Sequence, residues 1–160
     1  LPVLSGEFFG SAGKLRSDNC ATVTTAQLLP EDYGALAHFR YAMRKFLSFS
    51  KQALSATAQL TPEQYEALLA LKAFGGSTGL TITELSERLQ VKHHSAVGLV
   101  DKMVARRLVQ RTPGISDRRQ VFVRLTAAGS KVLAKVAALH RQEMRIRSSE
   151  MIEALGRLQK

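Results

Sequence analysis

Apolar positions at helical spacing first accumulate after Pro30. Leu36, Phe39, Met43, Phe46, Leu47 and Leu54 fall on one stripe and predict a long amphipathic helix over about 31–56. The next start is marked by residue chemistry as well as by period. Thr61 is an N-cap residue, Pro62 suits the first helical position and Gln64 completes a capping box. Leu60 and Tyr65 are placed to form the accompanying hydrophobic staple, and Tyr65, Leu68, Leu69 and Leu71 carry the apolar stripe to a stop at Gly75-Gly76. The same grammar returns at Thr81, with Glu84 at the box position and Leu80 opposite Leu85. A helix of about eight residues follows, ending at Leu89, and after Gln90-Val91-Lys92 a second runs to about Arg106. Two short helices with so tight a junction predict a helix-turn-helix.

Beyond Arg106 the period changes from helical to alternating. Leu108–Thr112 and Gln120–Leu125 read as strands, with Val121, Val123 and Leu125 on one face and Phe122 and Arg124 on the other. Between them the run from Pro113 to Arg119 is a hairpin loop rich in turn formers and cations. Thr126 then caps a further long helix with Val132, Leu133, Val136, Leu139 and His140 on its stripe. Helix resumes or continues through Met151, Ile152, Leu155 and Leu158. The expected fold is mainly α with a small antiparallel β-hairpin: a winged helix-turn-helix flanked by long N- and C-terminal dimerisation helices. Residues 1–28, with few periodic apolar positions, read as a flexible segment. Residues 29–58 form the first dimerisation helix, 59–126 the winged helix-turn-helix and 127–160 the C-terminal dimerisation helices. The apolar stripes at both ends exceed what the central unit can cover by itself, which is consistent with self-association.

Composition narrows the class. A chain of 160 residues with 45% hydrophobic and 22% charged positions is a single ordinary globular domain. No apolar run is long enough to span a bilayer, and no secretory signal is read at the start, so the expected location is cytoplasmic with no membrane partner. The single cysteine, Cys20, has no internal partner for a disulfide. The net charge is +10, which points to a polyanionic partner. Its distribution is more informative: between Lys92 and Arg124 eight cations face only Asp101 and Asp117, so more than half the net charge lies in a fifth of the chain.

That charge overlies the second helix of the pair and the hairpin. Advancing 100° per residue from Ala96 groups Leu99, Val100 and Met103 with it as the packing face. His94, Gly98, Asp101, Lys102 and Ala105 point the other way, with Ser95 on the flank. A helix entering the major groove reads bases near its N-terminal half. His94 and Ser95 are the candidate readers, and Gly98 permits close approach. Lys92, Lys102 and Arg106 suit phosphates, which set register rather than sequence. In the hairpin, Arg118 and Arg119 suit a narrow minor groove, and Asp117 suits the orientation of a neighbouring guanidinium.

At these residues the chain resembles the MarR family of bacterial transcription regulators. The resemblance runs from Glu31 to the C-terminus, and its most specific part is Asp117-Arg118-Arg119 followed by Leu125-Thr126, the family's D-x-R-x5-L-T wing pattern. Leu60-Thr61-Pro62, Glu84-Leu85, Arg88-Leu89 and Val100-Asp101-Lys102-Met103 support it. The family usually has Gly where this chain has Arg107, so a β-carbon stands where a left-handed cap is expected. It often has Arg or Thr at the positions of Gly98 and Val97, which implies a different set of bases read. The resemblance implies a homodimer on double-stranded DNA, two winged helices on adjacent major grooves of a pseudo-palindromic operator, and repression relieved by a small phenolic or anionic effector. It places the effector between the dimer helices and the helix-turn-helix, where His38, Tyr41, Arg44 and Tyr65 supply aromatic walls and polar hooks.

Other switches are weakly supported. Cys20 precedes the first helix and has no cation nearer in sequence than Arg16, so it reads as inert. His93 and His94 diverge by about 100° on a helix, which disfavours chelation. His140 with Glu143 is a two-ligand suggestion that reads better as a polar edge of the helix, so no metal and no cofactor is expected. No nucleophile–base pair, paired acidic motif or Gly-rich phosphate loop points to an enzyme. The alternative to sequence-specific binding is a winged helix serving protein interaction, with only nonspecific DNA binding.

Overall fold

The computed structural model describes residues 28–114 and 120–158. Residues 1–27, including Cys20, and residues 115–119, including Asp117, Arg118 and Arg119, lie outside the described residues. Five helices and a small sheet follow one another as α1 (Pro30–Ala58), α2 (Pro62–Phe74), β1 (Leu80–Thr81), α3 (Ile82–Leu89), α4 (His93–Ala105), β2 (Val109–Pro113), β3 (Val121–Leu125) and α5 (Ala127–Leu158). The mainly α winged-helix architecture agrees with the sequence reading.

Local chemistry explains the boundaries. At α2 the Thr61 hydroxyl accepts from the Gln64 amide at 3.3 Å while the Gln64 side chain accepts from the Thr61 amide at 3.1 Å. The reciprocal pair at Thr81 and Glu84 opens α3, at 3.2 and 2.8 Å. Each satisfies two backbone donors that the first turn leaves without helical partners. Thr126 opens α5 by accepting from the Gly129 amide at 2.9 Å. α5 is then one unbroken helix of 32 residues, which resolves whether helix resumes or continues.

The sheet has three strands in the order β1-β3-β2, one more than the hairpin expected. β1 is two residues long and pairs antiparallel with β3 through Leu80↔Val123 and Thr81↔Phe122. Thr81 serves both the ladder and the α3 cap, so too few residues remain for an alternating pattern to show. Val123 is fully buried and Leu125 half-buried, while Val121, next to the loop, is exposed.

One core joins these elements. Leu54 of α1, Leu68 of α2, Leu85 of α3, Val100 and Met103 of α4, Val109, Val123 and Val136 are all fully buried in it. Each such side chain contributes roughly 1.5–3 kcal/mol of burial. The core encloses the helix-turn-helix, the sheet and only the adjoining halves of α1 and α5. Farther along, α1 and α5 bury small residues, Ala35, Ala42 and Ala154, and turn large ones outward. Leu47 is 56% exposed, Ile146 66% and Ile152 68%.

Both helices of the helix-turn-helix end in the same way without glycine. Gln90 has φ +55° and donates to the Glu87 carbonyl at 3.2 Å, while Val91 donates to the Ser86 carbonyl at 3.0 Å. Arg107 has φ +55°, with Arg107 donating to the Val104 carbonyl at 2.8 Å and Leu108 to the Met103 carbonyl at 3.0 Å. These paired bonds are Schellman closures. The left-handed cap therefore persists with Arg in the place where the MarR pattern has Gly. Replacing Arg107 by Gly removes a β-carbon penalty of roughly 1–2 kcal/mol, partly offset by the entropy of glycine in the unfolded chain. Arg107→Gly is expected to raise stability by about 1 kcal/mol in urea unfolding. Gly129 has the opposite sensitivity, because a β-carbon there would run into the Leu108 carbonyl. Gly129→Ala is expected to cost about 1–3 kcal/mol, read as a lower urea midpoint.

Candidate nucleic-acid interface

The face of α4 opposite the core gathers most of the residues singled out from the sequence. Ala96, Val100 and Met103 are fully buried and hold the helix against the core, with Leu99 half-buried beside them. His94, Ser95, Asp101, Lys102 and Ala105 are exposed, and so is Lys92 at the N-cap. Gly98 is half-buried, yet a β-carbon there would meet nothing within 4 Å, so the space over it is open to a large partner.

The N-terminus of α4 differs from the other helix starts. α1, α2 and α3 have acidic residues in their first turns, and α5 has the Thr126 cap. α4 begins at Lys92 with no side-chain cap bond and no acidic residue in its first turn. Its first amide donors and the positive end of its dipole are thus left for an external acceptor, with a lysine beside them. Such a terminus favours an anion such as a phosphate group.

The wing is tied to this helix. Arg111 of β2 donates to Asp101 of α4 at 2.6 Å, a pair that fixes the hairpin against the exposed side of α4. Asp101 therefore does between helix and wing what the sequence reading gave to Asp117 within the loop. The hairpin closes with Gly114 donating to the Gln120 carbonyl at 2.8 Å. Asp117, Arg118 and Arg119 belong to the five residues spanned by that closure and lie outside the described residues.

Arg106 is a correction. Expected on a phosphate, its guanidinium is instead turned to the end of α1. Nη1 donates to the Gln59 carbonyl at 2.7 Å and to Gln64 Oε1 at 3.3 Å, and Nη2 donates to the Ala58 carbonyl at 2.8 Å. Carbonyls at a helix C-terminus are orphaned acceptors carrying negative partial charge, so they compete directly with a distant phosphate for this cation.

The four effector candidates are not brought together. His38 and Tyr41 line a cavity of about 300 Å³ against Glu150, Glu153 and Arg157 near the end of α5. Tyr65 lines a different, mainly apolar cleft of about 690 Å³ between α1, α2 and α5, with Phe46, Leu47, Leu69 and Met144. Arg44 is exposed and lines neither. Helical spacing placed His38, Tyr41 and Arg44 on one helix but said nothing of their distance from Tyr65.

His140 is the residue of this cleft that the sequence did not single out as a hook. It is buried, stacks on Tyr65 with ring centroids 4.5 Å apart, and contacts Ser50 Oγ through Nε2 at 2.8 Å. Its Nδ1 lies 3.0 Å from the Val136 carbonyl, which only accepts, so Nδ1 donates there and Nε2 faces the Ser50 hydroxyl. Glu143, its suggested metal partner, is ion-paired with Arg147. Among the described residues no three His, Cys, Asp or Glu side chains group as a metal site. Burial pushes the pKa of the Tyr65 hydroxyl up, so it stays neutral in the cleft.

Comparison with known proteins bears on this geometry. Residues 58–120, from the end of α1 into the hairpin, match the model of the MarR family. The matched segment is thus similar to the winged helix-turn-helix of the MarR family. The chain is similar in fold to AbsC, a MarR-family transcriptional regulator from Streptomyces coelicolor, at 24% identity and TM-score 0.65 over 77% of this chain and 82% of that one. It is similar to MepR, a transcription regulator of the Staphylococcus aureus multidrug efflux pump MepA, at 21% identity and TM-score 0.63 over 70% and 80%. A mutant of E. coli MarR, solved with operator DNA, aligns at 25% identity and TM-score 0.58 over 70% and 76%. No curated protein sequence matches this chain significantly. Within the matched segment the Asp101–Arg111 pair is partly solvent-exposed, so a double-mutant cycle with Asp101→Ala and Arg111→Ala is expected to give a coupling of about 0.2–1 kcal/mol in urea unfolding.

Proposed function

We propose that the protein is a sequence-specific, double-stranded DNA-binding transcription regulator that works as a homodimeric repressor. The observation that carries this reading is α4: a helix held by three fully buried residues, with an uncapped N-terminus and exposed His94, Ser95 and Lys102 beside a cationic hairpin. His94 and Ser95 read base edges in the major groove, and Gly98 lets the helix approach closely. Lys92 and Lys102 neutralise phosphates and set register. Arg118 and Arg119 enter the adjacent minor groove, with Asp117 orienting one of them. The operator-bound MarR structure, similar in fold, supports this assignment.

Self-association through residues 29–58 and 127–160 follows from the outward apolar residues of α1 and α5, which no part of the described chain covers. A symmetric dimer places two α4 helices on half-sites about one turn apart, roughly 34–36 Å, and so requires a pseudo-palindromic operator. The effector reading moves from His38, Tyr41 and Arg44 to the cleft that contains Tyr65. Its apolar walls, the Ser50–His140 pair and the Lys51 and Arg141 cations suit a small phenolic or anionic effector whose binding releases the DNA. A regulator that binds DNA works where the DNA is, which gives the cytoplasm as its proposed location; among the described residues no helix is long and apolar enough to cross a membrane.

The test is selection from a random duplex library at about 150 mM salt, followed by titration on enriched sites. The expected outcome is an enriched palindrome with half-sites one turn apart. His94→Ala is expected to change base preference at one position of each half-site by roughly 1–3 kcal/mol while leaving nonspecific affinity unchanged. Binding that shows no enrichment and vanishes with salt would point to a protein-interaction module instead.

A further inference from the structure

Arg106 is the cap residue that closes α4, and its side chain grips the end of α1. Its three hydrogen bonds reach across 42 to 48 residues of sequence. Two go to the Ala58 and Gln59 carbonyls, at the point where α1 ends with Gln59 in the left-handed conformation at φ +51°. α1 has no basic residue in its own last turn, so Arg106 supplies from a distance the cation that the negative end of this helix lacks. The third goes to Gln64 Oε1, the same atom that accepts from the Thr61 amide in the α2 capping box. One guanidinium thus holds the end of α1, the start of α2 and the end of α4 in a fixed relation.

We infer that Arg106 is a positioning residue for DNA recognition, which sets the angle of α4 to the long helix α1 and makes no contact with DNA. The inference rests on the reading of α4 as the base-reading helix. Its chemistry depends on the fork: two nitrogens in a rigid plane bridge two carbonyls and an amide oxygen, which a lysine ammonium on a flexible stem does not reproduce. A phosphate contact makes the opposite demand, because a point charge suffices there. Base readout depends on the angle of α4, whereas nonspecific affinity depends on the number of phosphates neutralised.

Arg106→Lys and Arg106→Ala are to be titrated against the selected operator and a scrambled duplex of equal length over a range of salt. Both variants are expected to lose about tenfold or more in operator affinity, with scrambled-duplex affinity and the slope against salt unchanged from wild type. Wild-type affinity in Arg106→Lys, with a slope lowered by about one in Arg106→Ala, would overturn the inference in favour of a phosphate ligand. Failure of the wild type itself to distinguish operator from scrambled duplex would count against the proposed function, not against the place of Arg106. In that case, or if the variants do not fold, guanidinium NMR of the wild-type chain decides. Arg106 Nη signals that are slow to exchange and unmoved by added duplex support the inference, and signals that shift on duplex addition overturn it.

Discussion

The orientation of α4 depends on a knot of hydrogen bonds at the residues that follow it. Thr126 donates through Oγ1 to the Arg107 carbonyl at 2.7 Å, and its amide donates to the Leu108 carbonyl at 3.1 Å. The same hydroxyl oxygen accepts from Gly129 and so starts α5. Leu108 also closes the Schellman turn of α4 and leads into β2. Within a few residues, then, the end of the exposed helix, the first wing strand and the long C-terminal helix share one set of backbone acceptors. Gly129 is the condition for this, because only the absence of a β-carbon lets α5 lie on the Leu108 carbonyl. Satisfied and close-packed, such a junction resists bending where α4, β2 and α5 meet.

A second anchor acts at the same point from the other side. Arg106 precedes the knot by one residue and grips the α1–α2 junction, so α4 is fixed to both long helices from a single turn of chain. Its N-terminal end has no such ties. Lys92 makes no side-chain cap, and His93, His94 and Ser95 are exposed. Rigidity is concentrated where the helix meets the scaffold, and unsatisfied donors where it meets solvent. That division is what a recognition element requires: the frame is set in advance, and the interaction capacity is left for the partner.

Much of this was legible in the sequence wherever the interaction is local. The boxes at Thr61 and Thr81 span three residues, and Thr126 reaches Gly129 within one turn, so residue type and spacing suffice. The buried face of α4 follows equally from the 100° step between residues. What escaped has a distant partner or no local pattern. Arg106 looks like any exposed cation until Ala58 and Gln59, nearly fifty residues earlier, are brought beside it. The pairing of β1 with β3 rests on two residues, one of which already serves as a cap. The left-handed positions at Gln59 and Gln90 carry no glycine to announce them. The separation of His38 and Tyr41 from Tyr65 is a matter of helix crossing, which periodicity along one helix does not encode.

The cleft around His140 lies on the same chain of contacts as the exposed face of α4. Tyr65, stacked on His140, follows Gln64 by one residue, and Gln64 accepts from Arg106. The start of α2, where Thr61, Gln64 and Arg106 share one oxygen, therefore joins the wall of this cleft to the end of α4. That oxygen accepts from the Thr61 amide at 3.1 Å and from the Arg106 guanidinium at 3.3 Å. α4 is held besides by the α1 carbonyls, by the Thr126 knot and by the buried Ala96, Val100 and Met103.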